Sequence, residues 1–349
     1  MHTNTETIMS EILLQQVMAP SVWKGEQMRK RSDWIVALGA RDVEEIEHAL
    51  AHAKASGSGL TDIKPEHFPL PTLAPRLATI RDEVAEGRGF ALLRGLDLGR
   101  YSIDEARLLF WGLACHVGTA EGQDRAGNRM HQVTDTGKRV DGDNSTRGYE
   151  TNDELMFHND GGDAFMLLCV RTAKSGGTSK LMSTGALFNE ILRRRPDLAR
   201  VVQQPFHFDS RAQNAADIKV QSVPILTWHA GRMNVLHKRR YIETAQRFPE
   251  VPRLTALQVE VLDMIDDICN DPEWHLSFDM QPGDMQIGNN FAVLHSRTSY
   301  VDDPEPERRR LLLRIWMTLP NGRPLPDVYA TTREFGQTFR RRQEALAVA

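Results

Sequence analysis

Residues 157–160 read Phe-His-Asn-Asp, which places an imidazole and a carboxylate two positions apart, at His158 and Asp160. On an extended strand, positions i and i+2 face the same way, so the pair offers two metal ligands from one segment. A mononuclear iron site that activates oxygen takes two imidazoles and one carboxylate on one side and keeps its other positions open. The second imidazole must come from elsewhere, and His295 in "NNFAVLHSR" is a candidate on a predicted apolar strand. With twelve histidines in the chain, such pairs also arise by chance. His207 and Asp209 make another His-x-Asp, and His229 and His237 stand at even spacing across a glycine turn.

Other residues could serve the same chemistry. In "AKSGGTSKLMST" a Gly-Gly turn presents the hydroxyls of Thr178 and Ser179. In "ERRRLLLRIW" a strand beginning near Arg309 carries Arg310 and Arg314, and the even separation turns both guanidinium groups to one face. An arginine facing a protein interior is costly unless it meets an anion, and it binds a carboxylate through two parallel hydrogen bonds.

The elements that must position these residues are legible in outline. Up to about residue 87 the chain reads as helical and irregular. An amphipathic helix is predicted over 42–57, stopped by Ser56-Gly57, and a second over 77–89 follows the proline-rich link "HFPLPTLAP". A buried strand is predicted at 90–96, then a helix over 102–118 opened by a Ser102/Glu105 capping box. Beyond it, short apolar runs alternate with Gly, Asp and Asn. Two helices interrupt them, one at 184–195 stopped by Pro196, and one opened by Thr255 with Gln258 and stopped by Pro272. Many short strands with turn chemistry predict an antiparallel sandwich or jelly roll decorated by helices.

Composition removes several function classes. The 349 residues carry 43 basic and 47 acidic side chains, a net charge of -4, which argues against a nucleic-acid footprint spread over the molecule. The longest apolar run, "FMLLCV", is too short to span a bilayer, and the start "MHTNTETIMSE" lacks the layout of a signal peptide, so a cytoplasmic, membrane-free protein is expected. Cys115, Cys169 and Cys269 are too scattered for a disulfide framework or metal knuckle. The basic runs "LRRR", "HKRR" and "FRRRQ" read as solvated faces and strand ends.

The ordered set His-x-Asp, Gly-Gly-x-Ser/Thr, His, Arg resembles the taurine dioxygenase (TauD/TfdA) family of iron(II)- and 2-oxoglutarate-dependent dioxygenases. It extends over about residues 88–320, including "GRGFALLRGL", "GYETNDELMFHND", "LLCVRTAKSGGTSKLMS", "NEILRRRPDL" and "NNFAVLHSR". The resemblance implies a mainly β fold with flanking helices. Its core would be a double-stranded β-helix (jelly roll, cupin-like) over 88–349, with a helical N-terminal extension over 1–87 packed on it. It implies that His158, Asp160 and His295 hold Fe(II) and that Arg310 binds the distal carboxylate of 2-oxoglutarate. Ser179 would assist, with Thr178 as the alternative one residue away, and Arg314 would contact either the co-substrate or an anionic substrate. The implied reaction hydroxylates an unactivated C–H of a small molecule while 2-oxoglutarate and O2 become succinate and CO2. Desaturation and oxidative cyclisation belong to the same class. The carboxylate at Asp160 favours oxygen transfer over halogenation.

Two departures from the usual family wording stand out. Asn159 replaces a threonine and is expected to point away from the metal, and Gly161-Gly162 is expected to leave room above it for a bulky substrate. Asn152, Glu154, Asn290 and Arg297 are candidate substrate or supporting residues, and Arg297 with Arg314 would suit a carboxylate-bearing substrate. Two competing readings keep the roll: a cupin-like hydrolase or isomerase using its metal as a Lewis acid, and a non-catalytic binding module. Nothing in the sequence opposes a homo-oligomer.

Overall fold

The structure is a computed structural model that describes residues 12–138, 146–214 and 218–348. The polar start read against a signal peptide lies outside the described residues. Alternation of side chains along the strands explains the layers. In Ala164–Arg171, Phe165 and Cys169 point to one face while Ala164, Met166 and Leu168 point to the other. Leu311–Thr318 divides likewise, with Leu312 and Trp316 opposite Leu313, Ile315 and Met317.

A seven-stranded sheet runs Ile35–Ala37, Phe90–Arg94, Met285–Asn289, Ala164–Arg171, Leu311–Thr318 and Thr119–Glu121, with Met130–Val133 also paired to Leu311–Thr318. A four-stranded sheet runs His275–Phe278, Ser179–Ser183, Val293–Arg297 and Leu155–His158, all antiparallel. The sheets face each other across one apolar cluster, in which Phe90, Phe165, Leu312 and Trp316 of the larger meet Leu181, Leu276 and Val293 of the smaller. Helices Ala40–Ala55, Leu73–Glu86 and Ile103–Cys115 cover the outer face of the large sheet, and Thr184–Arg194, Pro196–Val201 and Ala256–Asn270 cover that of the small one.

The N-terminal segment is tied into this arrangement, because Ile35–Ala37 pairs in parallel with Phe90–Arg94 and so extends the large sheet. The helix expected from Leu77 begins at Leu73, since Pro75 falls within its first turn, where no intrahelical N–H is needed. Pro196 both ends one helix and opens the next, because its fixed φ suits a helix start. Ser102/Glu105 and Thr255/Gln258 form the two capping boxes expected of them. Among the described residues, no helix is long and apolar enough to cross a membrane.

Candidate metal centre and substrate cavity

His158 closes the strand Leu155–His158 and lies directly opposite His295 in the antiparallel register. Their rings stand 4.2 Å apart between centroids, and the Phe165 ring from the large sheet lies 4.2 Å from that of His295. Asp160 follows on the turn, and one ligand atom from each of His158, Asp160 and His295 falls within 4.8 Å of the others. No other such group of His, Cys, Asp or Glu occurs among the described residues. The rival Asp209 instead accepts hydrogen bonds from the Arg211 backbone N–H at 2.8 Å and from Arg247 Nε at 3.1 Å. His237 is buried with neither ring nitrogen partnered, and His229 sits away from it on a surface hairpin.

The donor set suits a divalent iron. His158 Nδ1 donates to the Met156 carbonyl at 2.8 Å, which leaves Nε2 as its free lone pair. Burial pushes the His158 imidazole down to about 4 and His295 well below its ordinary value, so both present neutral nitrogens. Burial alone would raise Asp160, but Arg314, His295 and His158 outweigh it and hold the carboxyl well below the usual range. Two imidazole lone pairs and an ionised carboxylate gathered within 4.8 Å are the donors a facial triad requires.

Arg314 departs from expectation. Its Nη1 donates to Asp160 Oδ1 at 3.0 Å and its Nε to Gln123 Oε1 at 2.8 Å, so it is engaged by the carboxylate. The rings of Tyr149 and Trp316 both lie against the guanidinium, with centroids 4.7 and 5.1 Å away. Arg310 behaves differently. It is 6% exposed, its Nη1 has no partner, and it lies 5.0 Å over the Tyr300 ring, whose own hydroxyl is unpartnered. Burial and the nearby Arg310 charge push Arg297 down to about 10. A buried group of cations with an unmet donor is a place for an anion.

The Gly-Gly turn serves this arginine. Gly176 and Gly177 both have positive φ, and a Cβ at Gly177 would come within 3.3 Å of Arg310 Nε, so the turn lies against the guanidinium. Ser179 is buried opposite Arg297, whereas Thr178 turns outward and donates to Asp279 Oδ1 at 2.7 Å.

Other expectations need correction. Asn290 is not part of the cavity wall: it accepts from the Asp160 backbone N–H at 3.1 Å and donates to the Gly161 carbonyl at 2.6 Å, bracing the turn that carries Asp160. Arg297 likewise holds backbone, donating to the carbonyls of Thr151 at 3.1 Å and Thr298 at 3.1 Å. Asn152 contributes its carbonyl, which accepts from the Tyr300 N–H, while Glu154 lines the cavity and pairs with Lys180. Asn159 bonds to the 237 segment through Oδ1, which accepts from the His237 N–H at 2.8 Å. The glycines after Asp160 leave no room for a substrate. A Cβ at Gly161 would meet the Trp316 ring at 2.6 Å, and one at Gly162 the Met317 carbonyl at 2.6 Å, so their smallness lets the turn press on the Leu311–Thr318 strand.

The cavity, about 250 Å³, has His158, Asp160, Arg314 and Trp316 in its wall. Sequence reasoning missed Tyr149, Trp316 and Lys238. Trp316 was within reach, because it shares the parity of Arg310 and Arg314. Lys238 lay inside "HKRR", yet it is buried and donates to Glu334 Oε1 at 2.6 Å.

Comparisons with known proteins follow the same lines. Residues 56–316 match the family model described as "Taurine catabolism dioxygenase TauD, TfdA family". The chain is 30% identical over 331 residues to FR-33289 synthase of Streptomyces rubellomurinus, which covers 93% of this chain and 97% of that enzyme. It is also 30% identical over 307 residues to the taurine hydroxylase-like protein SAT17 of Stachybotrys chartarum, covering 84% and 77%. Asparagine oxygenase, solved with Fe(II), 3-hydroxyasparagine and succinate, superposes with a TM-score of 0.63 at 18% identity, covering 82% of this chain and 93% of that one. The non-heme iron oxygenase OrfP, solved with Fe and alpha-ketoglutaric acid, gives 0.59 at 14% identity, covering 81% and 93%. From motif order, site geometry and matched length together, the chain belongs to the TauD/TfdA family of iron(II)- and 2-oxoglutarate-dependent dioxygenases.

Proposed function

We propose that this protein uses Fe(II), 2-oxoglutarate and O2 to hydroxylate an unactivated C–H bond of a small molecule held in the cavity beside His158 and Asp160. The observation that carries the reading is the convergence of three ligand atoms within 4.8 Å, two of whose residues, His158 and Asp160, line a cavity. Support for hydroxylation comes from two solved relatives of the fold, asparagine oxygenase with 3-hydroxyasparagine and OrfP with hydroxylated arginine. In the same reading the two facing sheets are the double-stranded β-helix core of a catalytic region over 88–349, on which residues 1–87 pack as an extension.

The bound metal and co-substrate supply the redox step, converting 2-oxoglutarate and O2 to succinate and CO2 as one oxygen atom enters the substrate. The chain's own groups orient and insulate. Met156 fixes the His158 ring so that Nε2 faces the metal position, and Asn290 locks the turn that carries Asp160. Arg314 keeps Asp160 ionised as a ligand. Arg310 takes the far carboxylate of 2-oxoglutarate, with the Ser179 hydroxyl assisting. Phe165 and Trp316 keep water away from the ligand side.

Anaerobic protein mixed with Fe(II) and 2-oxoglutarate should develop a metal-to-ligand charge-transfer band, and admitting O2 should release succinate. His158→Ala and His295→Ala should lose metal affinity by more than the roughly 10–100-fold typical of outer-shell changes, and with it the band. Arg310→Met should retain iron but raise the 2-oxoglutarate requirement roughly 10–100-fold, as charged hydrogen bonds are lost. A band that survives both histidine changes would overturn the assignment. Turnover that ignores 2-oxoglutarate would favour Lewis-acid chemistry.

A further inference from the structure

The far wall of the cavity is crowded with positive charge. Arg147, Arg211, Lys238 and Arg333 all line it, and all bear on the phenol of Tyr241. Arg147 Nη1 donates to Tyr241 Oη at 3.2 Å, the Arg211 guanidinium lies 5.3 Å over the Tyr241 ring, and Lys238 Nζ lies 5.4 Å over it. These cations come from separate stretches of chain. One carboxylate, Glu334, pairs with both Lys238 at 2.6 Å and Arg333 at 3.4 Å. Among the described residues, Arg147 bonds the Tyr241 phenol rather than a carboxylate, and Arg211 keeps two side-chain donors unpartnered.

Two of the guanidinium groups hold donors in reserve. Arg211 is 5% exposed, and its Nε and Nη2 have no partner; Arg333, with its side chain 7% exposed, leaves Nε unpartnered. Such donors are costly to bury unless something arrives to accept from them. The backbone supports the placement at a cost of its own. Arg211 and Ala212 both adopt left-handed φ, +52° and +56°, with the Arg211 N–H tied to Asp209 Oδ1. Tyr241 reports the local field: burial would raise its phenol, but Arg147, Arg333, Lys238 and Arg211 push it down to about 7.

We propose that Arg147, Arg211, Lys238 and Arg333, gathered around Tyr241, form an anion subsite that binds the tetrahedral, doubly charged oxyanion head of the substrate, of the phosphate monoester or phosphonate class. This rests on the oxygenase reading of the same cavity and adds the substrate's class to it. Within the cluster Glu334 is the carboxylate paired with Lys238 and Arg333, while Glu154 and Asp160 of the same wall are engaged by Lys180 and Arg314, so the excess of positive charge suits a dianion better than a single carboxylate. Cations approaching from separate segments also match three oxygens splayed from one centre better than the two coplanar oxygens of a carboxylate. Lys238 pairs with His158 across an isolated β-bridge, so a head held here places the rest of a small molecule beside the metal ligands. The carboxylate recognition expected from Arg297 and Arg314 is not needed, since Arg297 holds backbone and Arg314 holds Asp160.

The test titrates anaerobic protein loaded with Fe(II) and 2-oxoglutarate, so that Arg310 is already occupied. Inorganic phosphate, methylphosphonate and acetate are added at constant ionic strength and followed by calorimetry. Phosphate and methylphosphonate should saturate one site per chain and bind at least roughly tenfold tighter than acetate, and Arg211→Gln should remove roughly tenfold or more of that affinity. Arg211→Lys should recover part of it, and the exposed Arg308→Gln should change nothing. Ethyl phosphate and ethylphosphonate then separate the two sources of the head, and tighter binding of either supports the subsite. Acetate binding as well as phosphate, or unchanged phosphate affinity in a folded Arg211→Gln with a normal charge-transfer band, would overturn it. The two readings fail separately: absence of the band sinks the oxygenase, whereas a normal band without phosphate preference sinks the subsite alone. If iron does not load, metal-free Arg310→Gln protein carries the phosphate titration.

Discussion

The two ends of the cavity hold the same kind of side chain in opposite electrical states. At the metal end Arg314 is spent on Asp160 and Gln123, and its charge is matched within the protein. At the far end Lys238 and Arg333 share Glu334, and Arg211 and Arg333 keep N–H donors that have no acceptor. The metal end is built from paired strands, whose register brings His158 opposite His295. The far end is built from turns and helix starts. The difference teaches that the fixed part of the reaction is carried by sheet geometry, while the choice of substrate is left to loops that can change without disturbing it. Glu334 helps to join the ends, accepting the Gly162 N–H through its backbone at 2.9 Å and the Lys238 ammonium through its side chain.

The largest effect that separates the ends is a pH dependence confined to the far one. Below about pH 7 the Tyr241 phenol is neutral, and Arg147 from the loop before Gly148, Arg211 from its turn, Lys238 and Arg333 all remain open to an anion. As pH rises through about 7 the phenolate forms and takes up part of that charge itself, so affinity for an anionic substrate falls. Removing one unit charge at hydrogen-bonding range should raise KM roughly tenfold by about pH 8.5. Tyr241→Phe should abolish this rise. Comparing the two proteins cancels the substrate's own ionisation, and a KM ratio that stays flat from about pH 6 to about pH 8.5 would break the comparison. The 2-oxoglutarate requirement, set at Arg310, should not follow the same curve.

A smaller effect tests where the ends join. In Gly161→Val the new side chain would meet the Trp316 ring and the Glu334 carbonyl. Overpacking of this kind should cost about 1–3 kcal/mol, lowering Tm by several degrees. Because the glycine opens no space to the substrate, the ratio of substrate turnover to uncoupled 2-oxoglutarate consumption should hold for whatever protein remains folded. An unchanged Tm with altered coupling would return Gly161 to the substrate side.

Strand parity made one end legible and left the other dark. Arg310, Leu312, Arg314 and Trp316 alternate, and the even spacing that predicted a shared face for the two arginines is the spacing that turns them inward. Capping boxes at Ser102 and Thr255 were legible for a similar reason, being local and periodic. Arg147, Arg211 and Arg333 have no common period, and they meet only after the chain closes. Lys238 was hidden within a basic run whose next member, Arg239, does sit among the carboxylates of Glu243, Asp263 and Asp266. Parity gives a residue's face and not its partner, which is why Asn290 and Arg297 could be placed near the site while the choice between a substrate role and a supporting one stayed open until their backbone hydrogen bonds were seen.

The smallest effect decides a one-residue register. The Gly-Gly turn offers two hydroxyls, and the sequence could not choose between them. Thr178 donates outward to Asp279, a bond at the surface between partners that water would also satisfy. Thr178→Ala should therefore shift stability by no more than about 0.5 kcal/mol and leave the KM for 2-oxoglutarate unchanged. Ser179 shares the inward face of its strand with Leu181, which packs between the sheets, and stands opposite Arg297. Ser179→Ala should raise the 2-oxoglutarate KM several-fold, in line with about 1 kcal/mol for one hydrogen bond, without altering the metal affinity. If the two alanine variants behave alike, the inward face does not define the co-substrate end. If Thr178→Ala alone raises the KM, the turn binds 2-oxoglutarate one residue out of register with the strand that follows it.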